Sequence, residues 1–144
     1  MTMRWVLAAD HAGYELKESI ERLLRARGLD VTDLGTHDTN RTDYPDWGHA
    51  VGEAVASGEY ERGIIVCGSG VGISIAANRH RGVRAALCND VYTARMARAH
   101  NDANVLAVGA RVVGLGVAEA IVEAFLATEF EGGRHAERLV KIER

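Results

Sequence analysis

Cys67 stands where an apolar run meets a glycine loop, in Gly63-Ile-Ile-Val-Cys67-Gly-Ser-Gly-Val-Gly72-Ile-Ser-Ile-Ala-Ala77. The pattern reads as a buried strand, a turn of phosphate size and the start of a helix, with a thiol at the junction. A helix N-terminus has backbone N–H groups without intrahelical partners and a partial positive charge. That field favours thiolate over thiol. One short segment therefore supplies a candidate base or nucleophile beside an anion hole. Free cysteine is commonly a small buried hydrophobe, and Cys88, inside an apolar strand, fits that description; the loop position of Cys67 argues for chemistry.

Spacing narrows the chemistry. A cysteine phosphatase needs an arginine six residues beyond the thiol, and Ile73 stands there. A protease-like dyad needs a histidine partner that sequence does not locate. A thiolate that takes a proton from carbon needs only position and a suitable acidity. Gly68, Gly70 and Gly72 do not complete G-x-G-x-x-G, because Ile73 fills the last place, and no Gly-Lys-Ser/Thr follows. Dinucleotide and P-loop readings are thereby disfavoured. The loop still suits an oxyanion or phosphate, or it is a tight turn that lets helix and strand pack closely.

The elements that must position these residues alternate along the chain. Strand-like runs are expected at Trp5–Ala9, Leu29–Leu34, Gly63–Val66, Arg84–Leu87 and Val105–Val108. Helical patterns are expected at Glu15–Arg27, Asp46–Ser57, Val71–Asn78, Val91–Ala99, Leu115–Ala127 and Arg134–Glu143. Gly28 suits a helix stop, Pro45 a first helical turn and Gly132-Gly133 a hinge. This βαβ rhythm predicts a parallel sheet with helices on both faces and right-handed crossovers. The last helix lies beyond a complete α/β unit, so it packs on a partner subunit or folds back on its own domain.

In such a sheet, ligands bind at the carboxyl ends of the strands. Asp10-His11, Cys67-Gly-Ser69, Asn89-Asp90 and Gly109-Ala-Arg111 all fall there. Asp10 suits an N-cap or a proton relay. His100, followed by Asn101, suits either the helix C-terminus as a cation or acid–base work. Arg134 and Arg138 are four apart, hence on one helix face, where they form a phosphate clamp or a solvated charged surface. His37, His49 and His80 read as surface or turn residues without assigned roles.

The bulk numbers bound the class. The chain has 144 residues, enough for one domain with a real core, and 47% are hydrophobic against 26% charged. A net charge of -3 offers no broad basic surface for nucleic acid or membrane. Two cysteines make neither a disulfide framework nor a zinc pairing, and no apolar run reaches the roughly 20 residues of a membrane span. A single domain over 1–144 in a reduced cytoplasmic setting is the expectation.

Several segments together carry a family likeness: Ala9-Asp-His-Ala-Gly-Tyr-Glu-Leu-Lys17, Arg41-Thr-Asp-Tyr-Pro45, Cys67 through Asn78, His100-Asn-Asp102, Gly109-Ala-Arg111 and Gly132-Gly-Arg-His135. In matching order over nearly the whole chain, they resemble the type B ribose-5-phosphate isomerases, a family grouped with galactose-6-phosphate isomerase subunits. The resemblance implies a Rossmann-like three-layer α-β-α sandwich with a five-stranded parallel sheet and an extra C-terminal helix. It implies a homodimer or dimer of dimers with active sites at the interface. It also implies aldose–ketose isomerisation of a sugar phosphate through an enediolate, with no metal and no cofactor. On that likeness Cys67 is the base, and Ser69 assists that thiol or the substrate oxygen. Asp10 and His100 open the sugar ring, His100 reaching across from the partner. The N–H groups of the stretch with Gly68, Gly70, Val71, Gly72 and Ser74 hold the enediolate. His11, Arg111, Arg134 and Arg138 bind phosphate, and Tyr44 and Asn101 touch the sugar. One branch of the family has a glutamate where Ile73 stands and lacks the cysteine, so this chain reads as the cysteine type. Ribose 5-phosphate is the expected substrate; a tetrose or hexose phosphate is the closest rival, and a non-catalytic sugar-phosphate-binding module the rival from another class.

Overall fold

Alternate residues of the central strands face opposite sides of the sheet, and both sides are apolar. Trp5, Leu7, Ile64, Val66, Leu106 and Val108 join one core, while Val6, Ala8, Ile65, Cys67, Val105 and Ala107 join the other. A strand buried on both faces needs helices on both faces. The computed structural model describes residues 3–144 and shows that arrangement.

The strands are β1 (Arg4–Ala9), β2 (Asp30–Asp33), β3 (Arg62–Cys67), β4 (Ala85–Leu87) and β5 (Val105–Gly109). The helices are α1 (Tyr14–Ala26), α2 (Tyr44–Ala56), α3 (Val71–Ala77), α4 (Val91–Asn101), α5 (Leu115–Ala127) and α6 (Arg134–Ile142). The sheet is parallel in the order β2-β1-β3-β5-β4. Helices α1, α4 and α5 cover the face of Leu7 and Leu106, and α2 and α3 cover the face of Ala8 and Cys67. The result is the expected three-layer α-β-α sandwich with an extra C-terminal helix.

Local differences from the expected bounds have simple causes. A short 3-10 turn, His11–Gly13, precedes α1, because the buried Asp10 carboxylate caps it by accepting from the Gly13 N–H. Helix α2 starts at Tyr44, so that Pro45 falls in its first turn, where a missing N–H is harmless. Strand β4 ends at Leu87, which leaves buried Cys88 just past the strand. Burial pushes the Cys88 thiol up to about 11. His49 and His80 are not plain surface residues. They are half-buried and hydrogen-bonded, Nδ1 to Nε2 at 2.8 Å, between α2 and the turn after α3.

Charged residues are buried in the scaffold, Arg98 and, most completely, Lys17. Lys17 of α1 is fully buried, and its ammonium pairs with Asp33 of β2 at 2.5 Å and with Glu18 at 2.8 Å. Burial pulls the Lys17 pKa down, but the hydrogen bonds from Asp33 and Glu18 outweigh it, and the balance is upward. Burial likewise opposes the charge on Asp33, but the Lys17 ammonium and the Gly35 N–H hold its carboxyl below the usual range.

Candidate active site

The register puts three strand ends level. Ala9 of β1 pairs with Val66 of β3, and Cys67 of β3 pairs with Gly109 of β5. Backbone bonds carry these pairings past the strands: Asp10 N–H to Val66 O at 3.2 Å, Ala110 N–H to Cys67 O and Arg111 N–H to Gly68 O at 2.9 Å. The chain leaves β1 toward β2 on one side and reaches β3 on the other, so β1 and β3 flank a crossover point where loops diverge and a crevice opens.

The crevice has a volume of about 680 Å³ and is lined by Asp10, His11, Tyr44, Cys67, Gly68, Ser69, Val71, Gly72 and Arg111, with Ala12, Ile75 and Val112 at its apolar edge. Cys67 is buried, and its sulfur accepts the Gly70 N–H at 3.1 Å. Ser69 is exposed; its hydroxyl oxygen accepts the Val71 N–H at 3.1 Å, which leaves its O–H available to donate. His11 Nδ1 accepts the Thr42 N–H at 3.2 Å, so the neutral ring carries its hydrogen on Nε2. The Arg111 stem lies over Gly68, where a Cβ would be 3.5 Å from its Cδ. The Tyr44 ring lies on Gly72 so closely that a Cβ there would be 2.3 Å from the ring. Gly70 has φ +80°, and a Cβ would sit 2.9 Å from the Val108 carbonyl carbon. Gly68 and Gly72 let Arg111, just past β5, and Tyr44 of α2 reach the loop, and Gly70 lets the loop backbone approach β5.

Other expected site residues lie behind the crevice or away from it. Ser74 is buried, with its hydroxyl donating to Val71 O at 2.7 Å. His100 and Asn101 end α4, and Arg134 and Arg138 are exposed on α6. None of these four lines the thiol crevice of the same chain. Asn101 instead lines a separate cleft of about 710 Å³ with Arg79, Arg81, Arg84 and Glu143, which holds no thiol. Helix α6 folds back on its own domain, its end tied by an Arg84–Glu143 pair at 2.9 Å to the start of β4 and its His135 stacked on His100 of α4. It still exposes Val140 and Ile142.

Sequence reasoning missed two neighbours. Thr42 orients His11, and the Arg41-Thr-Asp-Tyr-Pro45 segment was the signal available for it. His135 lies beneath His100, and only its place in Gly132-Gly-Arg-His135 hinted at that.

Comparison with known proteins decides the lineage. The family model described as Ribose/Galactose Isomerase matches residues 6–142. The chain belongs to that family. It is an isomerase, and its sequence is 52% identical over 133 residues to ribose-5-phosphate isomerase B of Escherichia coli K12, covering 92% of this chain and 89% of that one. The fold matches a Clostridium thermocellum ribose-5-phosphate isomerase B at TM-score 0.96 and 55% identity, covering 98% and 95% of the two chains. It matches a Mycoplasma genitalium ribose-5-phosphate isomerase B with bound ribulose-5-phosphate at TM-score 0.96 and 40% identity, covering 100% and 96%. Family relatives with other names include a D-erythrulose-4-phosphate isomerase of Pectobacterium atrosepticum, 43% identical over 94% of this chain and 90% of that one.

Proposed function

We propose that this isomerase interconverts ribose 5-phosphate and ribulose 5-phosphate without a metal ion, with Cys67 as the base that carries a proton between C1 and C2. The observation that carries the reading is the Cys67 thiol on the floor of a crevice walled by Asp10, His11, Tyr44, Ser69 and Arg111. That set suits each step of the chemistry.

Ring opening breaks the bond from C1 to the ring oxygen; the O1 hydroxyl loses a proton and the ring oxygen gains one. Asp10 and His100 are assigned to that exchange. Cys67 then takes the C2 proton, the electron pair forms the C1–C2 double bond, and negative charge develops on O1. The Ser69 hydroxyl and those N–H groups of the Gly68–Ser74 stretch not already bonded within the loop, as Gly70 and Val71 are, support that oxyanion. Return of the proton to C1, with transfer of the O2 proton to O1, leaves the ketose. His11 Nε2–H and Arg111 anchor the phosphate, and Tyr44 contacts the sugar.

His100, Asn101, Arg134 and Arg138 lie outside the crevice of their own chain, so a second copy supplies them in a homodimer or dimer of dimers. Val71, Ile75 and Val112 support this: they are 46%, 59% and 58% exposed at the crevice rim and suit coverage by a partner. A cytoplasmic setting belongs to the same reading, and no helix of the described residues is long and apolar enough to cross a membrane.

The relative named for D-erythrulose 4-phosphate supports a second reading, the same chemistry on a shorter sugar. Metal-free turnover of ribose 5-phosphate beside erythrose, allose and galactose phosphates separates the readings. The expected result is highest kcat/KM on ribose 5-phosphate. A higher value on another sugar overturns the substrate, and no turnover despite sugar-phosphate binding overturns the enzyme reading for a binding module.

A further inference from the structure

The His100 end of α4 is held by a segment that the reaction scheme leaves out. The Glu131 N–H donates to Ala99 O at 3.0 Å, fastening the α5–α6 loop to the last turn of α4. From that anchor the Glu131 carboxylate reaches His135 Nε2 at 3.4 Å and His100 Nε2 at 3.9 Å. The two imidazoles stack with centroids 4.2 Å apart and planes 10° apart. Their surroundings differ: His135 is 5% exposed, whereas the His100 side chain is 39% exposed.

The three donor atoms lie within 4.8 Å of one another. Parallel rings nevertheless send their lone pairs side by side rather than toward one point, which a tetrahedral metal centre requires. The arrangement suits a single shared positive charge instead. Two stacked imidazolium rings repel, and one carboxylate offsets one proton. Burial, then His100 and Arg134, hold the His135 pKa below its ordinary value. The buried ring is therefore the one whose charged form is disfavoured. The charged groups around the pair are Glu131 from the loop and Arg134 and Arg138 from α6; on α4, Arg98 is committed to Asp102 at 2.8 Å.

We infer that His135 and Glu131 are positioning residues for His100, His135 as a flat shelf that fixes the plane of its ring and Glu131 as the carboxylate that faces the Nε2 edge of both rings. The inference rests on the reading of His100 as a ring-opening group. It separates ring opening from proton transfer at carbon, because ribulose 5-phosphate is acyclic and needs no opening.

The experiment compares wild type with His135→Ala, His135→Phe, Glu131→Gln and His100→Ala. It measures ribose 5-phosphate turnover across pH, deuterium uptake from D₂O into C1 of ribulose 5-phosphate, and thermal midpoints. His135→Ala should lower kcat on ribose 5-phosphate about tenfold, a part of the 10²–10⁴ that a positioned acid–base group contributes. KM should stay within about twofold and deuterium uptake near wild type. His135→Phe, which keeps a flat ring, should recover most of that kcat. Glu131→Gln should displace the pH profile of ribose 5-phosphate turnover. Wild-type turnover and pH profile in His135→Ala and Glu131→Gln, with His100→Ala impaired, overturn the inference alone. Equal loss in both assays, or no recovery in His135→Phe while the fold is intact, also overturns it. Wild-type turnover in His100→Ala overturns the underlying role of His100 instead.

Discussion

The thiol crevice and the α4–α6 end are built by opposite means. The crevice is assembled by the sheet: strand register sets Asp10, Cys67 and Gly109 level, and close-packed glycines seat Arg111 and Tyr44 on the loop. The α4–α6 end owes little to the sheet. It consists of a helix terminus, a loop and a peripheral helix, with Arg134 and Arg138 exposed. The sheet thus fixes the groups that surround the Cys67 thiol. His100, Arg134 and Arg138 instead sit on an edge outside that crevice.

The largest expected effect tests that division directly. Cys67→Ala should lower kcat by about 10³, within the range of a lost general base, while the thermal midpoint changes little. His100→Ala should be impaired through a different region. If one site takes Cys67 from one chain and His100 from the other, mixing and reassembling the two variants restores activity. Random assortment makes half the dimers hybrid, each with one intact site of two, so about a quarter of wild-type activity returns. Absence of recovery, with hybrid dimers verified by mass spectrometry, would show that the two regions do not meet across chains.

Breaking the α1–β2 scaffold should come next in size. Lys17→Met removes the buried ammonium and leaves Asp33 without its partner, a change of about 3–5 kcal/mol in stability. Asp33 is depressed in the fold, so its stabilisation is present above its unfolded pKa and is lost as pH falls toward the folded one. Lys17 is raised, so its contribution is present below its unfolded pKa and is lost as pH rises through the folded one. This pair should therefore hold its contribution steady between about pH 5 and 9. Urea unfolding of wild type and Lys17→Met across that range checks both size and flatness.

Gly72→Ala sharpens the comparison on the crevice side alone. The added methyl meets the Tyr44 ring, a side chain that can swing away, rather than fixed backbone. KM for the sugar phosphate should rise about fivefold, an amount suited to a displaced binding contact, with little change in thermal midpoint. A large loss of stability would instead make Tyr44 a structural prop.

Which parts were legible in the sequence follows from the same division. Two-sided apolar strands, Gly28 and Pro45 announce themselves locally, and Leu115–Ala127 matches its expected bounds. The clustering of strand-end residues followed from the parallel sheet, so Asp10, His11, Cys67 and Arg111 were expected together. Strand order was not legible, because the βαβ rhythm is the same whichever edge each crossover chooses. Nor were the His49–His80 bond and the His100–His135 stack, since each joins side chains more than thirty residues apart through the packing of whole helices.

The smallest effect concerns pH on the α4–α6 side. His135 lies below its ordinary value of 6.5 because burial and the neighbouring cations disfavour its charged form. The unfolded chain then binds the proton more readily than the folded one, so stability is complete above about pH 6.5 and declines as pH falls. His135→Phe has no proton to take up, so its thermal midpoint should fall less than that of wild type between pH 7.5 and 5.5. The difference should be slight, because Glu131 offsets part of the charge and the end of a peripheral helix can open locally. Identical declines in the two proteins would mean that the acid response arises elsewhere, and the contrast with the pH-steady Lys17–Asp33 scaffold would then lose its basis.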